Sequence, residues 1–399
     1  MTAWSERTLG ELCALRAGIV FKPADQGLEF GDVPFIKVSD MNLASNAIAI
    51  REANNWVNDD YVARVRAKPF PAGTTVFAKI GEALRQNRVR KIVRATLVDN
   101  NMMGAIPNLS VVLPEFLYYR LASFDIASTA TGTALPYLTV STLERQRFRI
   151  PPRSLQRRIA SILSAYDDLI ENNTRRIVIL EEMARHLYEE WFVRFRFPGH
   201  HSARMVESEL GLVPEGWSCT DVASAVRRFG TGQKYDLKTV LSSGRVPVLD
   251  QGRQGVIGYH NDEPGFVASR ADPVIVFANH TCYQRLIYKP FSTIQNVIPY
   301  KSSSAFQRDI YWVYHATLGL VSLTEYKGHW PQFEAKKIMV PTVSVAMTFG
   351  QIVRRFHELA HTLSLANANL RATRSLLLPK LISGELDVSA MPEPEALAA

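Results

Sequence analysis

Residues 357–361 read HELAH, which matches the H-E-x-x-H pattern of zinc hydrolases. In that pattern two histidines one helical turn apart hold the zinc ion, and the glutamate acts as general base. A hydrolytic site also needs a third protein ligand, but Ser364 and Asn367 stand where the longer pattern has glycine and histidine. Glu385 lies at a tolerable distance downstream, after the helix is expected to end. We therefore predict no metal site; metal analysis of the purified protein would test the zinc hypothesis.

The sequence carries none of the other common catalytic signatures. It has no G-x-x-x-x-G-K-[ST] loop, no G-x-G-x-x-G after a predicted strand and no G-x-S-x-G. An Asn-Pro-Pro-Tyr-type tetrapeptide of adenine methyltransferases is also missing. We therefore expect a protein that binds its target without catalysing a reaction.

A dense run of basic residues offers a different chemistry. Residues 79–94, KIGEALRQNRVRKIVR, carry six basic side chains and one acid on a predicted strand–loop–strand segment. Such a run can neutralise several phosphates, and its arginine and glutamine side chains can reach base edges. A solvated surface loop is the alternative interpretation of this segment alone.

The second half of the chain has a matching set of polar loops. Residues 279–296 are polar and aromatic, and residues 250–261 place amide and arginine side chains among glycines, which permit close backbone approach. Glycine-bearing loops at 129–138 and 326–333 can complete each surface. The predicted DNA-binding residues are Lys37, Lys79, Arg85, Gln86, Arg88, Arg90, Thr131, Thr133, Tyr137, Gln251, Arg253, Gln254, Asn279, Arg285, Asn296 and His329.

Composition is that of a globular protein with room for two or three domains. Of 399 residues, 47% are hydrophobic and 21% charged, and no apolar run approaches the roughly 20 residues that a membrane span needs. The formal net charge of +8 suits a polyanionic partner. Cys13, Cys219 and Cys282 are widely spaced and no export signal is visible, so we expect a reducing, cytoplasmic location.

An internal repeat organises the chain. Residues 149–192 align without gaps on residues 339–382, with Pro151 falling on Pro341. Both copies show a seven-residue apolar rhythm, which predicts two long helices that pack on each other as a coiled coil. The predicted helix seam consists of Ile159, Tyr166, Asn173, Leu180 and Leu187 in the first copy, and Phe349, Phe356, Leu363, Leu370 and Leu377 in the second.

The heptad also predicts which neighbouring residues face inward. Apolar residues three and four positions after each seam residue, including Leu359 and Ala360, are expected on the same seam. His357 and His361 fall on outer positions and are expected in solvent. Asn173 is expected to set the register of the two helices at some cost in stability.

The segments before the two helices echo one another more faintly. VPFIKVSDMN (33–42) parallels VPVLDQGRQG (246–255), and TTVFAKIG (74–81) parallels VIVFANHT (274–281). Both alternate strand-like apolar residues with turn formers. The predicted fold class is α+β: two mixed β-rich domains alternate with two long helices that pack as an antiparallel coiled coil, in a pseudo-two-fold repeat.

This organisation resembles the specificity (S) subunit of type I restriction–modification systems. The most specific similarities are YEEWFVRFRFPGH (188–200) closing the first helix and ESELGLVPEGW (207–217) opening the second β-rich domain. GTALPYLTVSTLERQRFRIPP (132–152) is similar to the family's junction into the first helix, and LLLPKLISGEL (376–386) to its closing segment. The resemblance covers nearly the whole chain.

The resemblance implies a division of the chain and a set of partners. The implied ranges are target-recognition domain 1 at 1–150, the first spacer helix at 151–198, target-recognition domain 2 at 205–340, the second spacer helix at 341–385 and a tail at 386–399. Each recognition domain would read one half of a bipartite site in double-stranded DNA. The helices would set the spacing and dock two methyltransferase subunits, which bring S-adenosylmethionine and methylate adenine. Motor–nuclease subunits would join the full complex, while this chain would bind no cofactor and catalyse nothing.

Elementary geometry is compatible with that division. A helix of about 43 residues is roughly 65 Å long. This length is enough to hold two DNA-binding modules apart by more than one turn of DNA, which is about 34–36 Å. The alternative is a non-DNA scaffold that carries two protein-binding modules on a coiled-coil spacer. A DNA reader that contacts several phosphates should lose affinity steeply between about 50 and 200 mM salt, whereas a protein scaffold should not.

Overall fold

The computed structural model describes residues 4–132, 135–208, 211–230, 232–252, 255–323, 325 and 327–391. The chain divides into two compact units. Unit 1 combines residues 1–174 with 365–399, and unit 2 spans residues 175–364. Each unit therefore contains one β-rich part and a portion of both long helices, whereas the ranges drawn from the sequence follow chain order. None of the described helices has the length and apolar character needed to cross a membrane.

Unit 1 is built on a five-stranded sheet of order β2–β9–β6–β7–β4, a three-stranded sheet β5–β3–β8 and a ribbon β1–β10. Its strands are β1 (Ser5–Thr8), β2 (Cys13–Ala17), β3 (Val33–Ile36), β4 (Ala49–Ile50), β5 (Trp56–Val57), β6 (Thr75–Ala78), β7 (Val89–Ile92), β8 (Leu97–Val98), β9 (Met102–Pro107) and β10 (Arg147–Ile150). The central strand β6, TVFA, is buried along its whole length, as its β-branched and aromatic residues favour. The β1–β10 ribbon pairs Ser5 with Ile150, so it closes the first β-rich part where the first long helix begins.

Most helices of unit 1 pack against the five-stranded sheet, whereas Tyr61 of α2 packs against the three-stranded sheet. The helices are α1 (Leu9–Leu12), α2 (Asp59–Arg64), α3 (Gly81–Arg85), α4 (Pro114–Ala122), α5 (Val140–Glu144), the first part of α6 (Arg153–Tyr188) and the last part of α10 (Val343–Ser383). The main core joins β6, α4 and α6 through buried residues such as Phe77, Phe116 and Leu163. Thr8 and Glu11 form a capping box at the start of α1, with the Thr8 N–H donating to Glu11 Oε2 at 2.7 Å.

Unit 2 repeats this plan. Its strands are β11 (Met205–Ser208), β12 (Gly211–Pro214), β13 (Ser218–Asp221), β14 (Val226–Arg228), β15 (Val246–Leu249), β16 (Val256–His260), β17 (Val274–Ala278), β18 (Gln284–Ile287), β19 (Ser292–Thr293), β20 (Val297–Ser302) and β21 (Lys337–Val340). Its helices are α7 (Val222–Ala225), α8 (Ile310–Thr317), α9 (Trp330–Glu334), the end of α6, and the first half of α10 (Val343–Ser383). The helix α6 ends in one π-helical turn at Glu189–Val193, whose Trp191 and Phe192 enter the unit 2 core.

Sheet topology confirms the internal repeat. The order β14–β20–β17–β18 in unit 2 matches β2–β9–β6–β7 in unit 1, and β16–β15–β19 matches β5–β3–β8. The ribbon β13–β21 likewise matches β1–β10. In each ribbon the last strand leads directly into a long helix. The predicted fold class, two β-rich domains alternating with two long helices, is therefore confirmed.

The two long helices run antiparallel where they pack. In unit 1, Asn173 of α6 bonds to Asn367 of α10, while the earlier residue Asp167 pairs with the later residue Arg374. In unit 2 the later residue Tyr188 lies against the early residue Phe349, with ring centroids 6.0 Å apart. Residue numbers therefore increase along α6 while those of the contacting residues decrease along α10, which defines antiparallel packing.

Burial of the predicted seam follows this arrangement. Ile159, Asn173, Phe349 and Leu363 are buried. The other predicted seam residues are half-buried, and these are Tyr166, Leu180, Leu187, Phe356, Leu370 and Leu377.

The second row of the seam lies four residues after the first. Val353, Ala360 and Asn367 occupy that row in α10 and are buried. Leu359, one residue before Ala360, has 40% of its surface exposed. The expectation that Leu359 lies on the seam is therefore wrong: the heptad is apolar at both positions, and only the partner helix decides which of them is covered.

Candidate nucleic-acid interface

In unit 1, two segments that are far apart in the sequence meet beside the end of β6. The Leu138 N–H donates to the Lys79 carbonyl at 2.9 Å, and the Gly81 N–H donates to the Pro136 carbonyl at 2.8 Å. Thr131 and Tyr137 exchange backbone hydrogen bonds of 3.0 and 2.9 Å, so these two residues lie side by side. Gly81 has φ +70°, a left-handed conformation that glycine adopts without strain. The basic segment and the loop before α5 thus form one surface.

Several predicted DNA-binding residues lie on that surface. Arg85, Gln86, Thr131 and Tyr137 are exposed, while Lys79 and Arg88 are half-buried. The Arg88 side chain makes no hydrogen bond or ion pair with the residues that the structure describes. Thr133 lies outside the described residues. Both cations and hydroxyl groups therefore face the same region, as phosphate and base-edge contacts require.

Two of the predicted residues instead hold the fold of unit 1 together. Arg90 donates to the backbone carbonyls of Val89 at 2.9 Å and Met41 at 3.1 Å, and its burial lowers the pKa of the guanidinium. The Lys37 ammonium donates to Gln26 Oε1 at 3.0 Å, in the turn that follows β3. These two cations bind within the unit, so they are less accessible to a phosphate than Arg88.

Unit 2 uses the same backbone hydrogen bonds at the equivalent place. The residue after the central strand donates its N–H to the carbonyl of an asparagine, Lys79 to Asn101 at 2.9 Å and Asn279 to Asn296 at 2.8 Å. The carbonyl of Asn279 then accepts from the His329 N–H at 3.0 Å, just before α9. Sequence repetition alone had marked this region only faintly, whereas the backbone hydrogen bonds show that the two surfaces share one scaffold.

A cavity of about 410 Å³ opens beside Asn279 and Asn296. Its polar lining also includes Arg228, Gln233, Lys234 and Gln295, all of which are exposed. The Arg228 guanidinium lies 5.8 Å from the centre of the Trp330 ring, on the same wall. The cavity combines cations, amides and an aromatic face, which are the groups that bind phosphates and bases.

Sequence reasoning missed the four exposed polar residues that line this cavity. The available signal was the glycine-rich run FGTGQK (229–234), whose beginning parallels the first half of the chain and which ends in a glutamine and a lysine. Gln295 directly precedes the predicted Asn296. Strand pairing brings the two stretches together, a contact that neither stretch predicts by itself.

Three predicted residues of unit 2 lie inside its fold. Arg285 donates to the carbonyls of Asp250 at 2.8 Å and Gly255 at 3.0 Å, and burial lowers its pKa. Gln251 accepts a hydrogen bond at 2.8 Å from a neighbouring backbone N–H. His329 is fully buried, and its Nδ1 lies 3.1 Å from the Asn279 carbonyl. These side chains shape the loops of the surface and do not project from it; Arg253 and Gln254 lie outside the described residues.

The HELAH segment does not lie on a solvated surface, which corrects the sequence-based expectation. His357 packs against α8, with its Nε2 3.0 Å from Nε2 of His315 and its ring 5.4 Å from that of Tyr311. Burial lowers the pKa of His357 to about 4, and burial together with the charge of His357 lowers that of His315 to about 3. His361 is half-buried, with its ring 4.6 Å from that of Tyr288. The heptad identifies outer positions of the helix pair, but the β-rich part of unit 2 covers them.

No group of three or more histidine, cysteine, aspartate or glutamate side chains in the described part of the chain is placed to hold a metal ion. Among those described residues, none stands with the HELAH histidines as the further ligand that a zinc site needs. The structure gives these two histidines a packing role between α10 and the elements beside it.

Comparisons with known proteins point to one family. Residues 1–182 match the family model described as "Type I restriction modification DNA specificity domain". The chain is 26% identical over 391 residues to the type I restriction enzyme MjaIX specificity subunit of Methanocaldococcus jannaschii, covering 90% of this chain and 88% of that protein. It is 35% identical over 153 residues to the HindI specificity subunit of Haemophilus influenzae, covering 37% and 31% of the two chains.

A solved structure shares the fold. The S subunit of a type I restriction–modification system from M. genitalium superimposes with a TM-score of 0.59, covering 97% of each chain at 16% sequence identity. At that identity the likeness concerns the fold alone.

Proposed function

We propose that this chain is a specificity subunit of a type I restriction–modification system, that it binds double-stranded DNA and that each β-rich part reads one half of a bipartite site. We expect the protein to be in the cytoplasm, together with its DNA target. It binds no cofactor and catalyses nothing itself.

One observation carries the proposal. Both units place polar side chains at the same point of the same scaffold, beside the residue that follows the central strand. In unit 1 these are Lys79, Arg88 and the exposed residues of α3, and in unit 2 they surround the cavity next to Asn279. Two similar surfaces in one chain suit a target with two separate half-sites. The cations supply affinity for phosphates, and the amides supply contacts to base edges.

The long helices offer separate surfaces for partner subunits. Leu169 of α6 and Leu359 of α10 are equivalent in the repeat, and 46% and 40% of their surfaces are exposed. Ile352, seven residues before Leu359, is 36% exposed. An apolar row on the outside of each helix repeat suits two copies of one partner. We assign these rows to two methyltransferase subunits, which carry S-adenosylmethionine and methylate adenine, with motor–nuclease subunits joining for cleavage.

Exchange of one β-rich part tests the proposal. Residues 1–150 are replaced by the corresponding segment of another specificity subunit, and both proteins are produced with the methyltransferase subunit. The β1–β10 ribbon closes this segment on itself, so the exchange leaves α6 and α10 in place. Mapping of methylated adenines should show one half-site changed, and the other half-site and the spacing retained.

Two results would contradict the proposal. If both half-sites changed, the two β-rich parts would not be independent readers. If the wild-type complex showed neither sequence-specific methylation nor loss of DNA affinity between about 50 and 200 mM salt, a protein-binding scaffold would account better for the fold.

A further inference from the structure

The cavity of unit 2 has a rigid turn at its rim. The turn is formed by Gln295 and Asn296 between β19 and β20, and Asn296 adopts a left-handed conformation with φ +68°. Asparagine tolerates this conformation better than most residues. The Asn296 carbonyl accepts from the Asn279 N–H at 2.8 Å, and the Ile294 carbonyl accepts from the Val297 N–H at 3.4 Å. The backbone of the turn is therefore held in one conformation.

The side chains of this turn are available for a ligand. Gln295 is exposed and Asn296 is half-buried, and both line the cavity. Neither amide group makes a hydrogen bond to any residue that the structure describes. By contrast, the neighbouring amide of Asn279 accepts from the Trp330 N–H at 2.7 Å and anchors the loop before α9. An unpaired amide on a fixed backbone suits recognition of a specific partner, because binding then orders only the side chain and not the backbone as well.

The cavity contains both charged side chains and an uncharged amide, which suit different parts of DNA. Arg228 and Lys234 line the same cavity and are exposed, so they can neutralise phosphates beside the turn. Gln295 is uncharged, so a contact between its side chain and a phosphate would contribute little to the free energy of binding. Its amide offers one donor and one acceptor side by side, which matches the N7 acceptor and N6 donor of adenine in the major groove.

We infer that Gln295 is a specificity-determining residue of unit 2 and reads an adenine in its half-site, while Asn296 holds the turn in position. This inference rests on the proposed function. The equivalent turn of unit 1 differs, because the shorter Asn100 stands where unit 2 has Gln295, and the Asn101 amide, the counterpart of Asn296, donates to Asp99 Oδ2 at 2.9 Å. The readout by Gln295 is therefore confined to one half of the site.

The test uses the complex with the methyltransferase subunit, after its site has been mapped by methylation. Binding is measured on a set of duplexes in which each base pair is replaced in turn, for the wild type, Gln295→Ala and Gln295→Glu. For Gln295→Ala we expect discrimination at one A·T position to fall roughly 10- to 100-fold, the range for one bidentate contact. Gln295→Glu has acceptors only and should shift that position towards cytosine, whose N4 is a donor.

Gln332→Ala is the matched control, since Gln332 is an exposed glutamine of α9 outside the cavity lining. It should leave every position unchanged. Uniform weakening on all duplexes by Gln295→Ala would indicate a phosphate contact and overturn the inference. Unchanged discrimination, or an effect at a G·C position, would also overturn it. If the wild-type complex itself showed no sequence preference, the proposed function would fail instead.

Discussion

Asn173 of α6 donates a hydrogen bond of 3.0 Å from its Nδ2 to Oδ1 of Asn367 in α10. Both side chains are buried, with 4% and 2% of their surfaces exposed. The Asn367 amide in turn donates to the Ile170 carbonyl at 3.2 Å and to Thr174 Oγ1 at 3.1 Å. The polar pair is therefore fully embedded between the helices, at the point where the sequence predicted a register-setting asparagine.

Replacement of this pair should show strong non-additivity. Asn367→Leu leaves the Asn173 donor buried without its partner, and should lower the free energy of unfolding by about 1–3 kcal/mol. The double change with Asn173→Leu removes both polar groups and should recover most of that loss. Denaturant unfolding of both single variants and the double variant measures the coupling. Additive losses would show that the two amides act independently.

The histidine pair of unit 2 should make stability depend on pH. The pKa values of His357 and His315 are lowered to about 4 and about 3 in the folded protein, below the value of about 6.5 expected for unfolded histidine. The unfolded state therefore binds protons first, so stability is lost as pH falls below about 6.5. At pH 5.5 each histidine should lower the free energy of unfolding by about 1.4 kcal/mol relative to neutral pH.

The variant His357→Gln isolates this effect. It cannot be protonated, so its stability should fall less than that of the wild type between pH 7.5 and 5.5. Denaturant unfolding at both pH values measures the difference. Equal losses in the two proteins would mean that His357 is not titrating in this range.

Two neighbouring positions of α10 should respond differently to a charge. Leu359→Asp, on the exposed row, should change the free energy of unfolding by no more than about 0.5 kcal/mol but prevent docking of the methyltransferase subunit. Val353→Asp places a charge at a fully buried seam position and should lower the free energy of unfolding by several kcal/mol. Thermal melting and co-purification separate the two outcomes. Loss of folding in Leu359→Asp, or unimpaired docking, would be incompatible with an exposed docking row.

Arg88 and Arg90 form a matched pair in the basic segment. Arg88→Gln should weaken DNA binding and reduce the slope of log affinity against log salt by about 1, with little change in stability. Arg90→Gln should lower stability by about 1–3 kcal/mol, because the hydrogen bond to the Met41 carbonyl is lost, and should leave the salt slope unchanged. Binding measured at several salt concentrations distinguishes them. A reduced slope in Arg90→Gln alone would reverse the two roles.

The large-scale organisation was predictable because it depends on local or repeated patterns. Seven-residue apolar periodicity produces long helices wherever it is sustained, and the alignment of 149–192 on 339–382 reveals a duplicated plan. Both predicted helices exist, as α6 and α10. The individual surface residues were less predictable. Arg285 and His329 carry suitable chemistry, but hydrogen bonds and burial within unit 2 engage them.

The sequence by itself determined the repeat, the two long helices and the alternation of β-rich parts with them, because hydrophobic period and turn residues act over short stretches of chain. Only the tertiary structure decided which apolar row of each helix is covered, as between Leu359 and Ala360, since both satisfy the same period. It also decided that His357 meets His315 and that Gln295 joins Arg228 at one cavity. Those contacts link residues far apart in the chain, and close packing of the folded units sets which side chains remain exposed.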